Sequence, residues 1–293
     1  MMESAPKKAG WIAELELSYA WRFDKTRLLQ KRQLGPLTIQ RSFYPEGDIC
    51  HSYLIHPPGG VVGGDQLSIN IGCDEDAAAL ITTPGATKFY RSSGNQRAHQ
   101  SLTLTVKAGA TLEWLPQQNI FFPGARVDLE TDIHIEAGGQ FIGWEMHCFG
   151  RPVINETFSH GSVNSCTKIW LGDSLHLVER LITEADQGIN SPTGLRGSAM
   201  QGSLLAAPVD EAMAQALRDI AVAWQAANQQ QTTEQPSIKS DMMIGITVVD
   251  KVLIVRALGE HSEAMLQLFA ALWTHLRPQT LGRPACPPRI WAT

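Results

Sequence analysis

The sequence predicts an all-β protein of stacked, β-helix-like layers, with about two α-helices in the C-terminal third. Three observations lead there. From about residue 37 to 182, short stretches with every second residue apolar are punctuated by Gly, Pro, Asn and Asp, which is the pattern of half-buried strands broken by turns. One strand-turn-strand unit recurs about every thirty residues in this span. Helical periodicity is confined to two later segments.

In chain order, the first unit has Ile69 and Ile71 leading through Gly72-Cys73-Asp74-Glu75-Asp76 into residues 77–83 and the turn Pro84-Gly85. The second has Leu102, Leu104 and Val106, the turn Lys107-Ala108-Gly109-Ala110, and an apolar run over 112–115 that ends at Pro116. The third repeats it: Ile133 and Ile135, then Glu136-Ala137-Gly138-Gly139, then Phe141-Ile142-Gly143-Trp144. An offset of 29 (108 to 137) carries Ala108-Gly109 onto Ala137-Gly138. A fourth copy fits residues 169–178 around Gly172-Asp173. Units of this length cannot bury both faces alone and gain a core by stacking on their neighbours. Consecutive hairpins of a sandwich would leave the same signal; stacked layers are the reading adopted.

Helix begins at Val209-Asp210-Glu211, with Asp210 as N-cap and Met213, Leu217, Ile220, Ala221 and Trp224 on one face, and it ends in the polar tract 228–231. The Gln/Thr-rich stretch 225–239 reads as a loop because it has little apolar surface to anchor it. Residues 246–257 read as a hairpin turning at Val249-Asp250-Lys251-Val252. A second helix over 262–276 presents Met265, Leu268, Phe269, Leu272, Trp273 and Leu276. The whole, 1–293, is expected to form one domain: a β-stack over roughly 11–200, a helix-hairpin-helix region over roughly 205–280, and a proline-rich tail over 281–293.

Composition excludes several function classes. The formal net charge is −5 and no basic cluster exceeds pairs such as Lys7-Lys8 and Lys31-Arg32, so the electrostatic footprint of a nucleic-acid binder is missing. The apolar run over 246–258 is broken by Asp250, Lys251 and Arg256, far short of a membrane span, and the first residues lack a signal-peptide core. A cytoplasmic protein is expected. Its five cysteines are widely spaced and never form a CxxC pair, which points to reduced thiols rather than a disulfide framework or zinc ribbon.

Four segments carry residues capable of chemistry. His56-Pro57-Pro58-Gly59-Gly60-Val61-Val62-Gly63-Gly64-Asp65 lacks the lysine and hydroxyl of a phosphate loop, so a tight structural turn is the favoured reading, with His56 and Asp65 as possible ligands. The run over 82–92, with Lys88 and Arg91, is either an anion site or a turn with solvated cations. Glu113 sits inside an apolar repeat, and Glu145 follows the corresponding Trp144; buried carboxylates cost several kcal/mol unless paired. Glu145, His147 and Cys148, with Glu156 and His160 nearby, form the densest set of potential metal donors. On a strand, however, 145 and 147 share a face that 148 does not, so a structural role is favoured over a tight site. No GxSxG or HExxH is present.

Taken together, HPPGGVVGGDQL from His56, TTPGATKFYRS from Thr82, LEWLPQQNIFFPGA from Leu112, Gly150-Arg151-Pro152 with Glu156, and the ending LGRPACPPRIWAT resemble urease accessory proteins of the UreD/UreH family, in order and over nearly the whole chain. The resemblance implies a β-helix-like stack with two late helices. It also implies a non-enzymatic scaffold that binds apo-urease and recruits UreF and, through UreF, the GTPase UreG. Transient nickel(II) would pass through its interior with no tightly bound cofactor. Such a passage needs weak carboxylate ligands, and Glu46, Asp65, Glu113, Glu145, Glu156 and Glu179, with His147, are the candidates. Pro284, Arg289, Ile290 and Trp291 are the candidate partner surface, because a proline-rich tail has little to bury itself in beforehand. The alternative is an adaptor with no metal passage.

Overall fold

The spacing between repeats is a strand pairing. In the computed structural model, which describes residues 10–234 and 242–292, Leu102, Leu104 and Val106 lie beside Thr131, Ile133 and Ile135 in parallel register. Neighbouring coils are offset by 33 residues (Ile69 to Leu102), 29 (Leu104 to Ile133) and 36 (Ile133 to Ile169). Each coil therefore advances the chain by one rung, and a parallel sheet follows.

The rungs build two facing sheets. The first has seven strands, in spatial order Ser174–Glu184, Ser162–Leu171, Arg126–Ile135, Ala98–Val106, Gln66–Cys73, Ile12–Arg22 and Lys25–Leu34. The second runs Met243–Val249, Val252–Gly259, Met200–Ala207, Gln140–Arg151, Thr111–Leu115, Ala78–Thr82, Cys50–Ile55 and Thr38–Ile39. A short third face pairs Thr87–Phe89 and Asn119–Phe121 with the end of Gln140–Arg151. There Phe89, Phe121 and Phe149 stack with successive ring centroids 5.3 Å apart.

The chain turns from the first sheet to the second at the corners the repeat marked. Gly109 and Gly138 both have positive φ, +71° and +84°, a region that L side chains rarely adopt. They stack with the amide of Gly109 donating to the carbonyl of Gly138, and a Cβ at Gly109 would run into the Asp76 carboxylate. The fourth copy behaves differently. Around Gly172-Asp173 the strands pair antiparallel, Leu171 opposite Ser174, so this unit is a hairpin that ends the first sheet. A two-residue connection can only reverse the chain within one sheet.

Alternation then sorts the side chains. Leu104, Ile133, Phe141, Ile169 and Leu205 fill the core between the sheets. Leu80, Leu115, Ile142, Trp144 and Leu204 point to the other side of the second sheet, where two helices cover them. After a short helix α1 (Ala185–Asn190), α2 (Glu211–Glu234) starts where expected, the Met213 amide donating to Asp210 Oδ1 at 2.8 Å. Its face from Met213 to Trp224 packs on that second core.

Two expectations need correction here. Residues 225–234 are helical rather than loop, anchored by the Gln225 amide donating to the Met242 carbonyl at 2.7 Å; the remainder of that stretch, 235–239, lies outside the described residues. Helix α3 (Ser262–Leu281) runs past 276 and through Pro278 to stop at Gly282, φ +66°. Proline costs a helix its own N–H donor and crowds the carbonyl four residues earlier; the buried Arg277 beside it, bonded to Glu113 and Glu46, anchors the extra turn. The hairpin Met243–Val249 to Val252–Gly259 turns at Asp250 and Lys251, both with positive φ, as a two-residue turn of this type requires.

Candidate functional site

Two neighbouring strands of the first sheet carry hydroxyls at inward positions that are otherwise apolar. Strand Arg126–Ile135 points Val127, Leu129, Ile133 and Ile135 into the core but has Thr131 among them; Ser162–Leu171 likewise has Ser165 and Thr167 between Val163 and Ile169. Ser165 lies beside Leu129, one layer away, and register aligns the other breaks. In the first sheet Thr131 lies beside Thr167, and Thr167 beside Glu179. In the second, Glu145 lies beside Ser203, and Ser203 beside Arg256. Neighbouring strands sit about 4.8 Å apart, so this is a continuous polar layer leading from the middle of the stack to its end.

Glu145 is the centre of that layer. Its Oε1 accepts the Thr131 hydroxyl at 2.7 Å and its Oε2 the Thr167 hydroxyl at 3.3 Å, both across the gap between the sheets. His147 Nε2 lies 3.9 Å from Oε2, the Asn119 side-chain amide 3.5 Å from Nδ1, and the imidazole packs on Phe121. Burial pushes the Glu145 carboxyl above its ordinary range, with the two hydroxyls opposing the rise only in part. Burial also lowers His147 to about 4, so at neutral pH its ring is uncharged and the contact with Glu145 is no ion pair.

Glu145 also forms a shared wall between two cavities. One, of about 320 Å³, is lined by His147, Thr167, Gln201, Ser203, Glu179 and Arg256 among others. The other, about 40 Å³, extends toward His56, Thr83, Gln117 and Asn119. At the outer end of the larger one, Arg256 donates to both oxygens of Glu179, Nε at 2.6 Å. Chemically, the region offers the Glu145 carboxyl, one neutral imidazole and hydroxyls, with the second carboxylate, Glu179, taken by Arg256; these are donor types that divalent cations accept, without the number that makes a cage.

A second polar assembly lies on the helix side. Glu113 Oε1 accepts the Trp273 indole N–H at 2.6 Å and Arg277 Nε at 3.0 Å. The same guanidinium donates to Glu46 at 2.6 and 2.7 Å and to the Pro284 carbonyl, and Glu46 meets His51 at 2.6 Å. Arg277, Glu113 and His51 are wholly buried. Such a cluster is a structural network joining α3, the second sheet and the tail, with His51 Nδ1 left without a partner among the described residues.

The sequence profile described as UreD urease accessory protein matches residues 12–292. The chain belongs to the UreD family. It is 45% identical over 287 residues to a protein named urease accessory protein UreD from Aliivibrio fischeri, covering 97% of each chain. It is 46% identical over 286 residues to one from Escherichia coli, 97% and 98% covered, and 43% identical over the full length of one from Vibrio parahaemolyticus. A UreD protein's role is urease maturation, and these relatives are named as accessory proteins rather than catalysts. No described helix is long and apolar enough to cross a membrane.

Within this UreD chain the candidate residues divide by environment. Glu145, His147 and Glu179 share the larger cavity. Glu113 does not join them: it pairs in register with Ile142, so it faces the helices, opposite to Glu145. Glu46 is held there too. Asp65 is buried, but both its oxygens accept backbone amides, from Trp11 at 2.8 Å and Val62 at 2.9 Å, which makes it the brace of its glycine-rich turn. Glu156 was expected in the interior and instead pairs with Arg151 at the surface, at 2.6 and 2.7 Å. Cys148 lies in the helix-side core, away from Glu145, as alternation required. Among the described residues no group of three or more His, Cys, Asp or Glu is placed to hold one metal ion.

The tail has more to pack on than its composition implied. Trp291 lies against Trp144 and Trp273, centroids 5.5 and 5.7 Å away, and its indole N–H reaches Thr82 Oγ1 at 3.2 Å. Pro284 and Arg289 are exposed, and Ile290 is half-buried. Thr131, Thr167 and Arg277 went unnoticed in the sequence, and Arg256 was read only as a charge interrupting an apolar run. The signal for the threonines was there, as hydroxyls at inward positions of otherwise apolar strands; no local signal marked the arginines, whose partners are 77 and 164 residues away.

Proposed function

We propose that this chain is a non-enzymatic cytoplasmic scaffold that binds apo-urease and recruits UreF, and through UreF the GTPase UreG, so that nickel(II) is inserted into the urease active site by way of the chain's interior. The observation that carries the passage is Glu145, a wall common to two cavities and lined up with Glu179 through a layer of hydroxyls. Nickel is cargo here, not a resident cofactor. A few weak donors suit cargo, since a complete cage would hold the ion too long to hand it on. The chain lacks the lysine and hydroxyl of a phosphate loop, so GTP hydrolysis belongs to the partner.

The test uses cells expressing the urease structural genes and the remaining accessory genes, with this chain absent, native, or carrying Glu145→Gln. Urease is purified and assayed for activity and nickel content. Nickel-poor urease without the chain, full loading with the native chain and reduced loading with Glu145→Gln are expected. Full loading by Glu145→Gln would leave an adaptor with no passage; full loading without the chain would overturn the maturation role itself.

A further inference from the structure

We infer that the Arg256–Glu179 pair is a removable electrostatic plug at the end of the Glu145 cavity, with Arg256 occupying the carboxylate that an incoming or departing divalent cation needs. This rests on the passage reading above.

The two strands that carry the pair come from different sheets. Glu179 is on Ser174–Glu184, the last strand of the first sheet, and Arg256 is on Val252–Gly259, next to the last strand of the second. Their contact spans the mouth of the cavity. Register places them at the level of Glu145: Glu179 is one strand from Thr167, whose hydroxyl reaches Glu145, and Arg256 is one strand from Ser203, itself beside Glu145. A cation moving along this layer meets Glu179 as the next carboxylate after Glu145.

Glu179 is not free to receive it. Both of its oxygens are bonded by one guanidinium, a planar two-point contact that leaves little for a second cation, and Arg180 adds another positive charge to the same lining. The two ends of the pair differ in solvation. The Glu179 side chain is 18% exposed and that of Arg256 is 51%. Arg256 can therefore swing into solvent, or onto a partner's carboxylate, at little desolvation cost to itself, and the charge this leaves on the largely buried Glu179 is what an arriving cation neutralises. In the isolated chain the plug is in and the cavity is protected from adventitious cations; a partner surface that presents a carboxylate to Arg256 draws it out and exposes Glu179.

The test measures Ni²⁺ binding to the full chain by calorimetry, with the metal salt alone as probe. Arg256→Met keeps the aliphatic stem over the mouth and removes the competing charge. It is expected to tighten Ni²⁺ uptake by about fivefold, the scale of a half-exposed ion pair, and adding Glu179→Gln should cancel that gain. Arg256→Lys, which keeps the charge, should stay near the native value. Melting curves confirm that each variant folds. Unchanged uptake in Arg256→Met, while Glu145→Gln lowers uptake, overturns the plug and leaves the passage standing. If neither variant changes uptake, the passage reading fails and the plug with it.

Discussion

The hydroxyl of Thr131, on the first sheet, donates to the carboxylate of Glu145, on the second, at 2.7 Å across the interior of the stack. It is one of two hydroxyls that satisfy a largely desolvated carboxylate, and its removal tests the layer without touching a charge. Thr131→Val keeps the shape and strands one oxygen of Glu145, at a cost of about 1–3 kcal/mol in a urea titration. It should raise the Glu145 carboxyl further and reduce nickel loading of urease in cells. Native loading by a folded Thr131→Val chain would mean the layer is structural only.

Nickel uptake by the isolated chain should rise with pH. Burial holds Glu145 above its ordinary range, so a cation must displace its proton, and less displacement is needed as pH climbs through the raised value. His147, held near 4, is already neutral and adds no pH dependence above about 5. Calorimetric titrations from pH 5 to 8 on native and Glu145→Gln chains check this; an equal slope in both would assign the proton elsewhere.

The Arg277 network predicts an asymmetry. Arg277→Met leaves Glu113 and Glu46 without their cation and should cost about 3–5 kcal/mol, whereas the combined change Arg277→Met, Glu113→Leu and Glu46→Gln should recover most of that loss. Denaturant midpoints for the two chains decide it. Equal losses would show that the charges, not their pairing, hold α3 on the sheet.

Acid should loosen the same region. Burial alone would raise the Glu46 carboxyl, but hydrogen bonds from His51 and Arg277 outweigh it and hold Glu46 below the usual range. A depressed carboxyl contributes stability that is present above its unfolded value and lost as pH falls through the folded one. Stability should therefore drop below about pH 4.5, the ordinary glutamate range, and Glu46→Gln should flatten that limb in melts taken between pH 3 and 6.

Removing the tail tests whether it serves the chain itself. Trp291→Ala uncovers Trp144 and Trp273 and should cost about 2 kcal/mol, below the value for a fully buried tryptophan because the ring is half-buried. A shift in intrinsic fluorescence and a lower melting temperature for the isolated protein are expected. An unchanged melt, with loss of complex formation, would return the tail to the role of partner surface.

The strand periodicity, the offset that carries Ala108-Gly109 onto Ala137-Gly138, the Asp210 cap and the turn at Asp250-Lys251 were all legible in the sequence, because each is set by neighbours a few residues apart. The side of the strand that Glu145 and His147 share was legible too, since alternation is a local rule. Which side is the interior was not. The offset of 29 carries Glu113 onto Ile142, so Glu113 and Glu145 belong on opposite faces, and only the packing of the helices shows which of the two faces them and which the cavity. Arg256, Arg277 and Trp291 find Glu179, Glu113 and Thr82 at separations of 77, 164 and 209 residues. A stack of turns and strands, and its kinship, can be read from local pattern alone; which carboxylates are braced, paired or left beside a cavity depends on the folded chain, because solvation and pairing of a charge are set by what the fold brings against it.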